Sequence, residues 1–226
     1  MILWDQPGYV VGFTTRNGGV SEGCYTSLNL TTGTGDEPAR VEENRRIACE
    51  SLGLDATRLA FNRQVHSPTV HRAHDGARGE PGDGLWSDDP GLPMLAMSAD
   101  CLPIAIARTG GARALAVVHA GWRGLSEGVL AAAVDAVGGE TAAIIGPAVG
   151  PCCYEVGPEV SELFDDDLTV DRKFDLWTAA ERALRRAGVA RVERVDLCTR
   201  CNSDLFFSHR RSGRERGVQG VIGAVA

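Results

Sequence analysis

The stretch Met94–Leu125, MLAMSADCLPIAIARTGGARALAVVHAGWRGL, decides how the chain is read. MLAMS reads as a buried strand that stops at Ala99-Asp100-Cys101. LPIAIA restarts beyond the break, and ALAVV is a third apolar run that ends at His119, before Gly121 and Gly124. Two of these breaks carry a metal-competent side chain, Cys101 and His119. Groups at strand ends are positioned by a rigid sheet yet left open to a ligand. A thiolate and an imidazole so placed can hold a divalent ion, or can act together as nucleophile and base.

Around this segment, 226 residues with 43% hydrophobic content suffice to bury a sizeable core. No charge run, Ser/Pro-rich linker or internal repeat interrupts them, which predicts one domain over residues 1–226. The Gly-rich stretch from Asp75 to Gly91 reads as a loop. A net charge of −7 spread along the chain argues against nucleic-acid binding, which wants a concentrated basic face. Arg210, Arg211, Arg214 and Arg216, interleaved with Gly and Glu, read as a solvated rim. The start, MILWDQPGYV, has neither a basic n-region nor a long apolar core, so a cytoplasmic protein without signal peptide or membrane span is expected. Seven cysteines are an odd count for a disulfide framework, and free or metal-bound thiols are expected.

Tyr9 to Thr15 alternates as a strand and runs into Asn17-Gly18, a strong turn signal. Arg16 and Asn29 lie near chain reversals, where side chains either contact a ligand or serve the turn. Asp36 as cap and Pro38 in the first turn predict a helix to Gly53, carrying Asn44, Arg45 and Arg46 on what reads as a solvated face or a site. Leu59 to Val70 is strand-like and holds Gln64-Val65-His66, with Ser67-Pro68 breaking the run. One helix is expected over Leu125–Val137, a strand over Thr141–Ile145, and helices near Pro158–Phe164 and Asp175–Ala187. The last strands fall at Val192–Leu197, Leu205–Ser208 and Val218–Val225. Without a strict βαβ repeat, the fold class is α+β with layered, partly antiparallel sheets.

Several chemistries drop out. The chain lacks the H-x-E and P-C-x-x-C of zinc deaminases and the glycine fingerprints of dinucleotide and P-loop sites. Cys198-x2-Cys201 with Cys152-Cys153 offers four thiolates, but adjacent cysteines point awkwardly for one tetrahedral ion, so free thiols are the expectation. Cys24 and Cys49 read as packing residues, His71 and His74 as solvent-facing, and His209 as a pocket residue. By elimination and by placement at element ends, His66, Cys101 and His119 form the best constellation. Three ligands leave a fourth position for water or substrate.

Arg16-x-Gly-Gly-Val-Ser, Ser27-Leu-Asn-Leu, Gln64-Val-His66, Ala99-Asp-Cys-Leu-Pro103, His119-Ala-Gly-Trp-Arg-Gly124, Ile145-Gly-Pro, Tyr154-Glu-Val-Gly and Phe207-Ser-His-Arg-Arg211 follow one another along the chain. In that order they resemble the YfiH, or laccase-domain, family of polyphenol-oxidase-type proteins. The resemblance implies a four-layer α/β/β/α fold with mixed sheets and a zinc held at His66, Cys101 and His119. It also implies phosphorolysis of the purine nucleosides adenosine, inosine, guanosine and methylthioadenosine, with adenosine deamination as a further activity. His209 stands where the family pattern usually has Tyr, and Gly84 follows Asp83 where it usually has Ala. Phosphorolysis needs cations near phosphate and a polariser at the base, whereas deamination at purine C6 needs an activated water. Arg16, Arg45 and Arg123 are candidate phosphate partners, and Asn29 and Gln64 candidate readers of sugar or base. Asp100 is a candidate proton-handling group beside Cys101, or a residue that holds the turn.

Other classes compete for the same residues. The historical laccase label implies copper; five histidines cannot supply a multicopper centre, but one copper ion could enter the triad. A metal-free hydrolase would use Cys101 as nucleophile and His119 as base, for which peptidoglycan-precursor editing is the substrate class linked to the family. A purely structural ion is the non-enzymatic reading.

Overall fold

Two six-stranded sheets absorb the apolar runs. The first is ordered β1 (Ile2–Leu3), β2 (Tyr9–Phe13), β14 (Gln219–Val225), β7 (Met94–Ser98), β3 (Ala60–Arg63) and β5 (Arg78–Pro81). The second is ordered β13 (Arg191–Arg194), β10 (Thr141–Ile145), β8 (Leu102–Arg108), β9 (Leu115–Ala120), β6 (Gly84–Ser87) and β4 (Val70–Arg72). A hairpin of β11 (Thr169–Val170) and β12 (Lys173–Phe174) stands apart in this computed structural model, which describes residues 1–226.

Alternation along the strands sorts side chains into three apolar layers. On β14, Val221 and Val225 face the opposite sheet, while Ile222 and Ala224 face outward. On β8, Ala105 and Ala107 point between the sheets and Leu102, Ile104 and Ile106 point away. Helix α1 (Pro38–Glu50) covers the outer face of the first sheet through Ala48 and Cys49. Helices α3 (Val129–Val137) and α5 (Leu176–Arg186) cover the second through Val129, Ala133, Val137, Ala180 and Leu184. The layering is therefore α/β/β/α with mixed sheets, as expected. No helix is long and apolar enough to cross a membrane.

Strand direction explains where chemistry collects. β3 pairs parallel with both β5 and β7, so all three end at one edge of the first sheet. β6 is parallel to β4, and β6 and β8 are both antiparallel to β9, so β4, β6 and β8 share a direction. The connections β3–β4, β5–β6 and β7–β8 all cross between the sheets at the same end. They carry His66, Asp83 and Cys101, and β9 reaches that end at His119.

Several local expectations change. Leu59–Val70 is not one strand: the chain leaves the first sheet at Arg63 and joins the second at Val70, because Ser67-Pro68 forces a crossing. The Asp75–Gly91 loop contains β5 and β6, whose Gly-rich composition masks their pairing. The helix expected at Leu125–Val137 is two, α2 (Trp122–Ser126) and α3, divided at Gly128 with φ +91°. Leu205–Ser208 forms turns leading to α6 (His209–Ser212), not a strand. Asp36 does not cap α1; its carboxylate accepts hydrogen bonds from Ser21 Oγ at 2.6 Å and Asn29 Nδ2 at 2.8 Å. Asn44 and Arg45 are buried, leaving Arg46 to the solvated face with Glu43 and Glu50. Asp175 does cap α5, accepting from Thr178 N at 3.0 Å.

Phe13 is buried between the sheets against Gly146, where a Cβ would collide with its ring. Phe13→Ala is expected to cost about 3–5 kcal/mol of stability, read by urea unfolding; a loss under 1 kcal/mol would show that this layer is loosely packed.

Candidate active site

Asp83 is fully buried and organises the site. Its Oδ1 accepts from His119 Nδ1 at 2.8 Å and from the His66 backbone N–H at 3.0 Å. Its Oδ2 accepts from the N–H groups of Val65 at 3.1 Å and Ser67 at 2.7 Å, and from Ser67 Oγ at 3.0 Å. One carboxylate thus holds His66 in a left-handed conformation, φ +61°, and directs the other ring nitrogen of His119, Nε2, away from itself. The carbonyl of Asp83 also accepts from the His119 backbone N–H at 2.7 Å, tying the connection to β9.

Cys101 arrives from the β7–β8 crossing after Asp100, which takes φ +92°. Its Sγ lies 4.0 Å from His66 Nε2, and the ligand atoms of His66, Cys101 and His119 all fall within 4.8 Å of one another. Two donors on one tetrahedral zinc sit about 3.5 Å apart, so a small closure would complete three bonds. Gly121 keeps the space clear: a Cβ there would lie 2.8 Å from His66 Cδ2 and 3.0 Å from Cys101 Sγ. One sulfur and two imidazole nitrogens suit a borderline-soft divalent ion and leave a coordination position open.

Charge in the site is coupled. Burial pushes the Cys101 thiol up, but the charge and hydrogen bond of His119, with those of His66, outweigh it and bring the thiol down to about 6. Burial lowers His119, and the Cys101 thiolate and Asp83 carboxylate more than offset this, raising it to about 9. Burial would raise Asp83, yet the His119 hydrogen bond and the Ser67 N–H, with the imidazolium charge, hold it well below the usual carboxylate range.

His66, Cys101 and His119 form the floor of a cavity of about 780 Å³ whose walls include Phe61, Met97, Trp122, Tyr154 and Leu176. Burial pushes the Tyr154 phenol up, keeping a neutral O–H at the wall. Of the expected substrate residues, Arg45, Gln64 and Arg123 line the cavity, as does Asp100. Arg45 is committed to Leu30 O at 2.9 Å and Glu42 at 2.6 Å, and the Gln64 amide is paired both ways with the Met97 backbone at 2.7 Å. Asp100 spends both oxygens, accepting from Thr199 Oγ1 and from Arg210 N at 2.6 Å each, so it holds the turn. Arg123 is exposed and stacks on Trp122.

Arg16 and Asn29 lie outside the cavity. Arg16 stacks on Phe207 and donates to the carbonyls of Thr26 and Ser203. Asn29 is fully buried, tying Thr31, Asp36 and Val218 together. The basic C-terminal cluster is not merely a rim, because Arg210 and Arg216 line the cavity beside His209. Arg216 Nε is buried without a hydrogen-bond partner. Sequence reasoning missed Asp83, Tyr154 and Arg216; only partners remote in sequence reveal them. Cys152, Cys153, Cys198 and Cys201 are free thiols, as expected, yet they converge, so the adjacent pair does not point awkwardly for one ion.

Comparisons extend the picture. Residues 10–225 match the family described as multi-copper polyphenol oxidoreductase laccase. A purine nucleoside phosphorylase of Pseudomonas aeruginosa is 39% identical, over 93% of this chain and 92% of its own length. The purine nucleoside phosphorylase YfiH of Escherichia coli is 36% identical, over 92% and 91%. Among solved structures, a Neisseria meningitidis protein of the family DUF152 superposes with TM-score 0.89 at 34% identity, covering 97% of this chain and 95% of that one. YlmD from Geobacillus stearothermophilus superposes with TM-score 0.87 at 30% identity, over 97% and 93%.

Asp83→Asn is expected to cost about 3 kcal/mol at pH 7, because it strips the imidazolium and three N–H groups of their anion. The depressed carboxyl contributes stability above its unfolded value near about 4, and that contribution is lost as pH falls through the lower folded value. Urea unfolding of both proteins should therefore show the gap closing in acid; a gap independent of pH would rule out this role. In metal-free protein, alkylation of Cys101 by iodoacetamide, followed by peptide mapping, should rise through about pH 6. A midpoint near 8.5, the value of a free thiol, would contradict the His119 coupling.

Proposed function

The chain belongs to the laccase-domain family, and from that premise we propose that it is a zinc-dependent purine nucleoside phosphorylase, active on adenosine, inosine, guanosine and methylthioadenosine. Adenosine deamination is a second activity of the same site. The observation that carries this reading is the convergence of His66, Cys101 and His119 on one open position beneath a cavity large enough for a nucleoside and phosphate. A zinc ion held by those three residues would supply Lewis acidity and a lowered pKa for bound water. We read all 226 residues as one functional unit working in the cytoplasm, a setting that suits seven cysteines none of which is paired.

In phosphorolysis a phosphate oxygen bonds to C1′ as the C1′–N9 bond breaks, giving ribose 1-phosphate and the free base. Arg216, whose Nε is unpartnered, and Arg123 are candidate cations for the phosphate, while Arg45 holds the wall. Tyr154, as a neutral O–H, and the apolar wall around it receive the nucleoside and keep bulk water out. Asp100 acts as a positioning residue, because its carboxylate fastens Arg210 and Thr199 to the Cys101 turn.

A second reading has one observation in its favour. Cys101, His119 and Asp83 also have the nucleophile, base and orienter order of a metal-free cysteine hydrolase. That reading leaves His66 and the clearance at Gly121 without a task. A multicopper centre fits less well, since of the five histidines only His66 and His119 join the cluster with Cys101. Elemental analysis of protein from unsupplemented cells distinguishes zinc from a single copper.

Zinc-loaded protein is expected to convert adenosine and inosine to base and ribose 1-phosphate only when phosphate is present, and adenosine to inosine without it. Cys101→Ala should abolish turnover, and Arg216→Gln should raise the phosphate KM about tenfold or more while leaving the nucleoside KM near its starting value. Full turnover after chelation, or by Cys101→Ala, would contradict the reading.

A further inference from the structure

Away from the catalytic floor, four more thiols meet at the same end of the sandwich. Cys152 and Cys153 sit in the turn after β10, and Cys198 and Cys201 in the turn after β13, which is parallel to β10 and so ends beside it. Cys201 Sγ lies 3.7 Å from Cys152 Sγ and 3.4 Å from Cys153 Sγ, and all four sulfurs fall within 4.8 Å of one another. A disulfide would bring two of them to about 2.05 Å. Four sulfurs around a tetrahedral zinc with bonds of about 2.3 Å lie about 3.8 Å apart, far nearer than a disulfide to the 3.7 and 3.4 Å that separate Cys201 from Cys152 and Cys153.

We propose that Cys152, Cys153, Cys198 and Cys201 hold a structural zinc ion as four thiolates. The adjacent pair is compatible because residues 151–153 form a tight turn, with Cys153 N and Tyr154 N both donating to Gly150 O at 2.9 and 3.0 Å. In such a turn consecutive side chains leave on neighbouring sides instead of opposite faces, and both sulfurs reach Cys201. The other pair is the C-x2-C spacing of a zinc knuckle, and Gly150 N–H donates to Cys198 Sγ at 3.3 Å, as suits a thiolate. Cys198 is buried while Cys152 and Cys201 are exposed, so an ion has a route in and a dry side to rest on. Binding four thiols releases up to four protons.

The ion would staple two segments that the catalytic cavity needs. The turn after β10 supplies Val149 and Tyr154, and the segment after β13 leads to His209 and Arg210. Between them runs a backbone bond, Thr199 N to Ala148 O at 3.0 Å, while the Thr199 hydroxyl donates to Asp100 on the Cys101 turn. A metal at the four sulfurs clamps the same joint from outside.

The test is metal content of the full chain, purified under reductant from zinc-supplemented cells. Wild type should carry about two zinc ions per chain, and Cys101→Ala and the double variant Cys198→Ser/Cys201→Ser about one each. Equal zinc in wild type and the double variant would overturn the proposal. Equal zinc in wild type and Cys101→Ala would instead count against the catalytic ion alone. If the double variant fails to fold, Cys101→Ala loaded with cobalt reads the same site: intense thiolate-to-cobalt absorption with four sulfurs is expected. No cobalt uptake, or a Cys153–Cys201 disulfide found by mass spectrometry in its place, would overturn it.

Discussion

The His119–Asp83 hydrogen bond is the constraint on which the rest of the site depends. A buried carboxylate is tolerable only when its oxygens are filled, and Asp83 fills them with one imidazole N–H, one hydroxyl and three backbone N–H groups. Those donors come from β9 and from the β3–β4 crossing, so satisfying one charge fixes the relative placement of His119 and His66. The thiolate of Cys101 then meets two oriented imidazoles. Removing the carboxylate would leave a positive ring in the interior and a connection with nothing to close on.

The sheets make this economy possible. Three crossings in one direction, each from the first sheet to the second, must all emerge at one end of the sandwich. Every reactive group on them is thereby brought together without a long loop. The strands β9, β10 and β13 end at the same place, so the cavity wall and the four-thiol cluster are neighbours of the catalytic floor. Apolar layers on either side of each sheet hold that end rigid, which a metal centre needs if its ligands are to stay within bonding reach.

Much of this was legible in the residues, and the gaps have physical causes. Alternation disclosed β2, apolar runs disclosed β7, β8 and β9, and the breaks at Cys101 and His119 disclosed the reactive ends. His66 was read at the end of one strand, whereas β3 stops at Arg63 and His66 lies in the crossing to the second sheet. Asp83 was invisible as an organiser because it sits in a Gly-rich run and its partners are separated from it in sequence. Asn29 and Arg16 looked like ligand readers because polar residues at reversals have two uses, and here they serve the turns. The four cysteines were undervalued for a related reason: pair geometry depends on turn conformation, and only the parallel pairing of β10 with β13 sets the two turns side by side.

On the proposed reading one floor, one wall and one outer clamp divide the labour: the carboxylate-oriented ligands would hold the ion, the arginines and Tyr154 would receive substrate, and the cysteine cluster would steady the wall. The central claim is that three residues delivered by separate crossings and by β9 bind a single ion. The most direct measurement is an anomalous-difference map at the zinc edge from crystals of the zinc-loaded protein. It should show a peak within about 2.0–2.3 Å of His66 Nε2, Cys101 Sγ and His119 Nε2 together. A map with no peak there, or a peak bonded to the imidazoles but not to the sulfur, would contradict the claim.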